Sequence, residues 1–263
     1  MDKTEREHRQ DIVDIGRLIY QKGWVAANDG NITIRLNNEC ILSTPTGVSK
    51  GMMRPDDLII VDYEGNKIQG RLERTSEILM HLAIYQVRPD VHSVVHAHPP
   101  VCTGFAAAGL SLDKALLPEV VIGLGCVPLA AYGLPGTPEL TEPMLPLIPK
   151  FDAILLANHG AVTYGSEIKQ AFFRMETVEH FARINLVAHL LGGAKLLPSE
   201  EVKKLIDARG RYGFASSSVV QPNCPVPAEG TGGQTSDAQK ERFHVTRDEL
   251  VALVEEAMRV RGS

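Results

Sequence analysis

The chain has 263 residues, 44% of them hydrophobic, and a formal net charge of -5. That is enough for one large domain with a substantial core, or for a domain of about 200 residues carrying an appendage. The mild acidity leaves no footprint for nucleic acid or an anionic membrane, no apolar run approaches the roughly 20 residues of a membrane span, and the charged start MDKTEREHRQ lacks the apolar core of a signal peptide, so a cytoplasmic location is expected.

Thr4-Glu5-Arg6-Glu7 fits a capping box, and Ile12, Ile15 and Ile19 follow at helical spacing, which predicts a first helix ending near Gly23. In AANDGNITIRL, Asn28-Asp29-Gly30 is turn chemistry, and Ile32, Ile34 and Leu36 alternate as in a strand. CILSTPTGVSKG repeats the pattern of a short strand and a turn. DDLIIVDYEGNKIQG reads as two short strands joined at Glu64-Gly65-Asn66. A helix is expected from Thr75-Ser76 to about Val87, and after the breaker Arg88-Pro89-Asp90 the run VHSVVHAH reads as a strand.

GCVPLAAYG reads as another strand, Pro138 to Ile148 as a helix, and Ala153 to Ala157 as a short strand ending at Asn158-His159-Gly160. A long helix from Glu167 to about Leu191 is closed by Gly192-Gly193, and residues 199–209 form a shorter one. Ser216 to Gln239 is rich in Ser, Pro, Gly, Gln and Thr, and VTRDELVALVEEAMRV is an amphipathic helix capped at Thr246. The expected plan is therefore a body over 1–215, a flexible linker over 216–245 and a terminal helix over 246–263, which docks on its own body or on a neighbouring subunit. The strands alternate more than they run solidly apolar, which favours an antiparallel or mixed sheet with helices on both sides. Cys40, Cys102, Cys126 and Cys224 are scattered without a CxxC pair and read as reduced thiols.

The stretch VVHAHPP places His96 and His98 two residues apart on a strand, where both side chains point to one side and can converge on an ion. His159, at a strand end beside Gly160, is the natural third ligand of a catalytic zinc site that keeps one position open. Alone, an HxH pair among nine histidines is also what chance supplies. His8, His92, His180, His189 and His244 have no such context. His81 lies four residues after Glu77 and shares its helix face, as a support of the site or as an ordinary helix histidine. Gly30-Asn31, Thr46-Gly47 and Thr75-Ser76 combine glycine or a helix start with small hydroxyl or amide groups, which suits a phosphate bound by neutral donors. Taken singly, each is most simply a turn or an N-cap, and the signal lies in their combination. Glu77, next to Thr75-Ser76, is either a carboxylate that reaches the ion or a solvated first-turn glutamate.

Taken together, NDGNITIR (28–35), STPTG (43–47), TSEILMHLAIYQVRPDVHSVVHAHPP (75–100), AAYGLPGT (130–137) and LANHGAVTYG (156–165) resemble the class II aldolase/adducin family, in particular its L-fuculose-1-phosphate aldolase group, over roughly residues 8–195. The resemblance implies a three-layer α/β/α fold with a mostly antiparallel nine-stranded sheet, and a homotetramer with active sites at subunit interfaces. It places the metal ligands on His96, His98 and His159, the catalytic carboxylate, which also faces the metal, on Glu77, and the phosphate cradle on Gly30, Asn31, Thr46, Gly47, Thr75 and Ser76.

The implied reaction cleaves a ketose 1-phosphate to dihydroxyacetone phosphate and an aldehyde through an enediolate stabilised by Zn²⁺, with Mn²⁺ or Co²⁺ as alternatives. Glu77 would protonate carbon, a role that calls for a raised pKa. The family's 4-epimerases carry aspartate where this chain has Glu77, which leans toward aldolase chemistry. The fuculose aldolases place a tyrosine from a neighbouring subunit on the aldehyde side. Here the corresponding stretch, 116–123, contains none; Glu119 is its nearest polar group, and Tyr212 further along is either a substitute or an ordinary packing or surface tyrosine. A dehydratase, a decarboxylase and a 4-epimerase use the same metal and cradle, and a non-catalytic adducin-like interaction protein is the alternative outside enzymes.

Overall fold

The computed structural model describes residues 3–212. These lie within one compact unit, Met1–Val226, and the expected linker and terminal helix lie outside the described residues.

Helix α1 spans Glu5–Gln21 and opens with the expected capping box, Thr4 Oγ1 accepting from Glu7 N and the Glu7 carboxylate accepting from Thr4 N. Strands β1 (Asn31–Arg35), β2 (Ile41–Ser43), β3 (Ile59–Val61) and β4 (Lys67–Gln69) follow, then α2 (Ile78–Val87) and β5 (Ser93–Ala97). Helices α3 (Pro100–Ala107) and α4 (Pro118–Gly123) lead to β6 (Leu129–Ala130) and α5 (Pro138–Thr141). Strands β7 (Ala153–Leu156) and β8 (Gly160–Gly165) form a hairpin before α6 (Ile168–Leu190) and α7 (Ser199–Ala208).

The sheet order is β4-β3-β2-β1-β5-β8-β7-β6. Every neighbouring pair is antiparallel except β6 and β7. The described residues thus hold eight strands where nine were expected; Leu112 and Val127 meet only as an isolated bridge. The alternation of side chains along each strand sorts the core into two layers. Ile32, Ile34, Val95, Ala97, Leu155 and Ala161 pack with α1, α3 and α6. Ile41, Ile59, Val94, Ile154, Val162 and Tyr164 pack with α2 and the chain around α5. The result is the expected three-layer α/β/α arrangement. Each of the fully buried Ile, Leu and Val side chains among these contributes about 1.5–3 kcal/mol, and both sheet faces are covered except at the edge strand β4, whose residues are exposed.

Several boundaries differ from the sequence reading. Helix α2 begins at Ile78 with Glu77 as its N-cap, so Thr75 and Ser76 form the turn before the helix and do not open it. The helix expected over 138–148 is a single turn, followed by hydrogen-bonded turns to Lys150. Helices α3 and α4 and strand β8 were not anticipated. An ion network built on buried Arg88 and Asp152 closes the far end of the sheet: Arg88 donates to Asp152 (2.9 Å) and to the exposed Asp90, and Arg174 reaches the other Asp152 oxygen at 2.5 Å.

Candidate metal centre and active site

β5 carries His96 on the α2 face and delivers His98 just past its end, where His98 N donates to Trp24 O at 2.8 Å. His159 comes from the tight β7–β8 turn, in which Asn158 takes φ 55°. Two glycines allow the close approach. A Cβ on Gly160 would lie 2.5 Å from His98 Cδ2, and one on Gly30, whose φ is +70°, would lie 2.8 Å from His96 O.

The three rings stand at the corners of a near-equilateral triangle, with centroids 4.9, 4.7 and 5.1 Å apart. One nitrogen of each lies within 4.8 Å of the others. His96 Nδ1 donates to Ala161 O at 3.0 Å, which leaves the Nε2 lone pair facing the centre, 3.0 Å from His98 Nε2. Glu77 closes the fourth side, with Oε2 3.4 Å from His96 Nε2 and Oε1 2.9 Å from His159 Nε2. The Oε1 contact is not aligned as a hydrogen bond, so this buried oxygen has no hydrogen-bond partner.

Converging imidazole lone pairs and an orphaned carboxylate oxygen are what a divalent cation satisfies, and a three-nitrogen set suits zinc, manganese or cobalt. Burial pushes the pKa of His96 well below the usual imidazole range and lowers that of His98, so both rings are neutral and available as ligands.

Burial alone would raise Glu77. The facing His96 and His159 imidazoles and the Asn31 amide outweigh it and hold the carboxyl well below the usual range. This is opposite in direction to the raised pKa that the protonating role calls for, because the site around the carboxylate is polar and rich in donors.

The phosphate-candidate segments are brought together. Pro45 bridges to Arg74, and Thr46 N donates to Glu73 O at 3.0 Å, which lays the Thr46-Gly47 turn beside Thr75-Ser76. Asn31 Nδ2 donates to Glu77 Oε2 (2.7 Å) and to Thr75 Oγ1 (3.3 Å), so this buried side chain is committed to the carboxylate and the turn. Thr46, Gly47 and Ser76 are exposed, whereas Gly30, Asn31 and Thr75 are buried. Glu119 and Tyr212 are not brought to the histidines. They line a separate cleft of about 730 Å³ with Gln170, Phe173 and Arg174. Gln170 abuts Gly165, at the end of β8 away from His159.

Two residues near the site carried little sequence signal. Lys50 is 1% exposed and its ammonium donates to Asn28 O (3.0 Å) and Val48 O (3.1 Å), tying the turn before Gly30 to the loop after Gly47. Burial pushes its pKa down to about 8 against the pull of Asp29 and Glu77. A lone lysine in a polar loop looks like any surface lysine. His81 is fully buried behind Asn31, and its only signal was the four-residue spacing from Glu77. Among the described residues no helix is long and apolar enough to cross a membrane.

Residues 10–186 match the family described as Class II Aldolase and Adducin N-terminal domain. The chain is 37% identical over 191 residues to an L-fuculose phosphate aldolase of Methanococcus maripaludis, covering 73% of this chain and 99% of that one. It is 31% identical over 208 residues to a 3-oxo-tetronate 4-phosphate decarboxylase of Pectobacterium atrosepticum, covering 77% and 94%. A solved L-fuculose 1-phosphate aldolase superposes with a TM-score of 0.73 at 27% identity, over 81% of this chain and 99% of that chain.

Proposed function

The chain belongs to the class II aldolase and adducin family, and on that premise we propose that it is a zinc-dependent lyase cleaving a ketose 1-phosphate of the fuculose or ribulose type into dihydroxyacetone phosphate and an aldehyde. The observation that carries this reading is the convergence of His96, His98 and His159 on Glu77, beside the turns holding Thr46, Gly47, Thr75 and Ser76. A divalent ion on the three imidazoles, zinc or else manganese or cobalt, supplies a Lewis acid that polarises the substrate carbonyl.

The chain's own groups do the rest. Backbone N–H groups around Gly30, Gly47 and Ser76 and the Thr46 and Ser76 hydroxyls seat the phosphate, braced by Asn31 and Thr75 from behind. The Lys50 charge beneath two of these turns strengthens the field toward an anion. Anchoring the phosphate fixes C3 against Glu77, which lowers the entropic part of the barrier. In cleavage the C4 hydroxyl loses its proton, the C3–C4 bond breaks, C4 becomes the aldehyde carbonyl and the electron pair stays on C3. Glu77, ionised at rest, takes up a proton from solvent and places it on C3, giving dihydroxyacetone phosphate. In the condensing direction the Glu77 carboxylate removes that C3 proton, a role for which its ionised resting state is suited. Glu119 and Tyr212 lie away from their own chain's histidines; in the homotetramer proposed with this reading, the group taking the C4 hydroxyl proton would come from a neighbouring copy.

Glu77→Gln should keep one metal per chain and lose turnover by about 10²–10⁴-fold, whereas His96→Ala should lose both. A Gln variant with wild-type turnover removes Glu77 from the role.

One observation favours a second reading. The likeness to a 3-oxo-tetronate 4-phosphate decarboxylase goes with the lack of a tyrosine in 116–123. There the carboxyl carbon leaves as CO₂, the electron pair stays on the neighbouring carbon, and Glu77 protonates that carbon. Release of CO₂ from a 3-oxo acid phosphate, with no aldehyde formed from ketose 1-phosphates, would select it.

A further inference from the structure

His81 is fully buried, one turn into α2 from Glu77, and the reaction as drawn does not use it. Both its ring nitrogens are engaged. Nδ1 lies 2.8 Å from Thr33 Oγ1, and Nε2 lies 2.5 Å from Asn31 Oδ1. Thr33 Oγ1 in turn lies 2.9 Å from Tyr85 OH. At the other end Asn31 Nδ2 donates to Glu77 Oε2 and Thr75 Oγ1. One buried chain of contacts thus runs from Tyr85 through Thr33, His81 and Asn31 to the carboxylate.

The direction of this chain follows from its acidic end. A carboxylate can only accept, so Asn31 must turn its NH₂ toward Glu77 and its carbonyl oxygen toward His81. An amide oxygen can only accept, so His81 must carry its proton on Nε2. Nδ1 is then a bare acceptor, filled by the Thr33 hydroxyl, whose oxygen accepts from Tyr85. With both ring nitrogens committed in this way, the ring must be neutral. Burial supports that state by pushing the His81 pKa down to about 4 against the opposing charge of Glu77.

Without the Nε2–H donor, nothing would stop the Asn31 amide from rotating its oxygen toward Glu77, where two acceptors would face each other at 2.7 Å. We propose that His81, protonated on Nε2, is the positioning residue that fixes the Asn31 amide and through it the Glu77 carboxylate and the Thr75 turn. The assignment rests on the reading of Glu77 as the group that handles the C3 proton.

Two measurements on the full-length, metal-loaded protein test it. The first is the ring ¹⁵N spectrum of His81, identified by its loss in a His81→Gln variant. The expected pattern is a protonated Nε2 and a bare Nδ1 at neutral pH. An Nδ1–H tautomer or an imidazolium overturns the proposal. This readout is independent of substrate, so it stands or falls apart from the proposed reaction; should His81→Gln not fold, loss of the signal in His81→Leu identifies it instead.

The second is a steady-state comparison of His81→Leu with His81→Gln. Groups that orient the residues of a metal site typically matter by about 10–100-fold, so the Leu variant should lose that much kcat with KM within about 3-fold and one metal per chain retained. The Gln amide can place a donor near Nε2 and should recover to within about 3-fold of wild-type kcat. Equal activity of the two variants, whether high or low, overturns the positioning role, because side-chain volume alone would then account for the site.

Discussion

Replacing Gly160 by alanine should weaken metal binding while leaving the fold intact. The added Cβ would lie 2.5 Å from His98 Cδ2 and 2.7 Å from Ala97 O, whereas ordinary contact begins near 3.4 Å. Ala97 is held in the β5–β8 ladder opposite Ala161, so its carbonyl has little freedom, and the His98 ring is the part able to retreat. Overpacking of this kind costs about 1–3 kcal/mol. Without metal the ring relieves the strain by swinging out of the triangle. With metal it must return, so the strain falls on the bound state. At 1.4 kcal/mol per tenfold, the dissociation constant should rise by about 5–150-fold.

Competition against a chromophoric chelator measures that change, and thermal melting of the metal-free protein reports the fold. Gly104→Ala is the control: it sits in α3 with nothing within 4 Å of an added Cβ, so its metal affinity should be unchanged and its helix slightly favoured. A Gly160→Ala protein that binds metal as tightly as wild type would refute the close-contact argument. So would a metal-free variant that has lost its cooperative melt.

Arg88→Met should destabilise the fold by about 3–5 kcal/mol in urea titrations, because Asp152, 4% exposed, loses one of its two cationic partners. Acid should act through His81, whose folded pKa near 4 lies below the unfolded value of about 6.5. The folded chain then binds fewer protons, so this contribution is complete above about pH 6.5 and is lost as pH falls through about 4, on the order of 3 kcal/mol. In metal-free protein the wild type should lose that stability between pH 7 and 4 while His81→Leu does not; parallel profiles would contradict the assignment.

Much of the site was legible because its signals are local. The alternation that put His96 and His98 on one side of a strand needs only the period of two, and the Glu77–His81 spacing needs only the helical turn. The capping box at Thr4 and Glu7 is likewise a matter of four residues. What stayed hidden depends on tertiary placement. Strand β8 is buried on both faces and flanked by Gly160 and Gly165, so it shows no alternation and looks like a turn. Pro99-Pro100 reads as a breaker, yet Pro100 is the first residue of α3, a position that proline favours. The commitment of Asn31 to Glu77, and of Lys50 to two loop carbonyls, could not be read from their neighbours. Each partner lies 22 or more residues away, apart from Val48.

The most direct test of the account is release of dihydroxyacetone phosphate from a panel of ketose 1-phosphates, followed by a coupled assay on protein of known metal content, with and without a chelator. The account predicts release that stops with the chelator and returns when zinc is restored. Undiminished release from metal-free protein, or no release from any member of the panel by fully zinc-loaded protein, would contradict it.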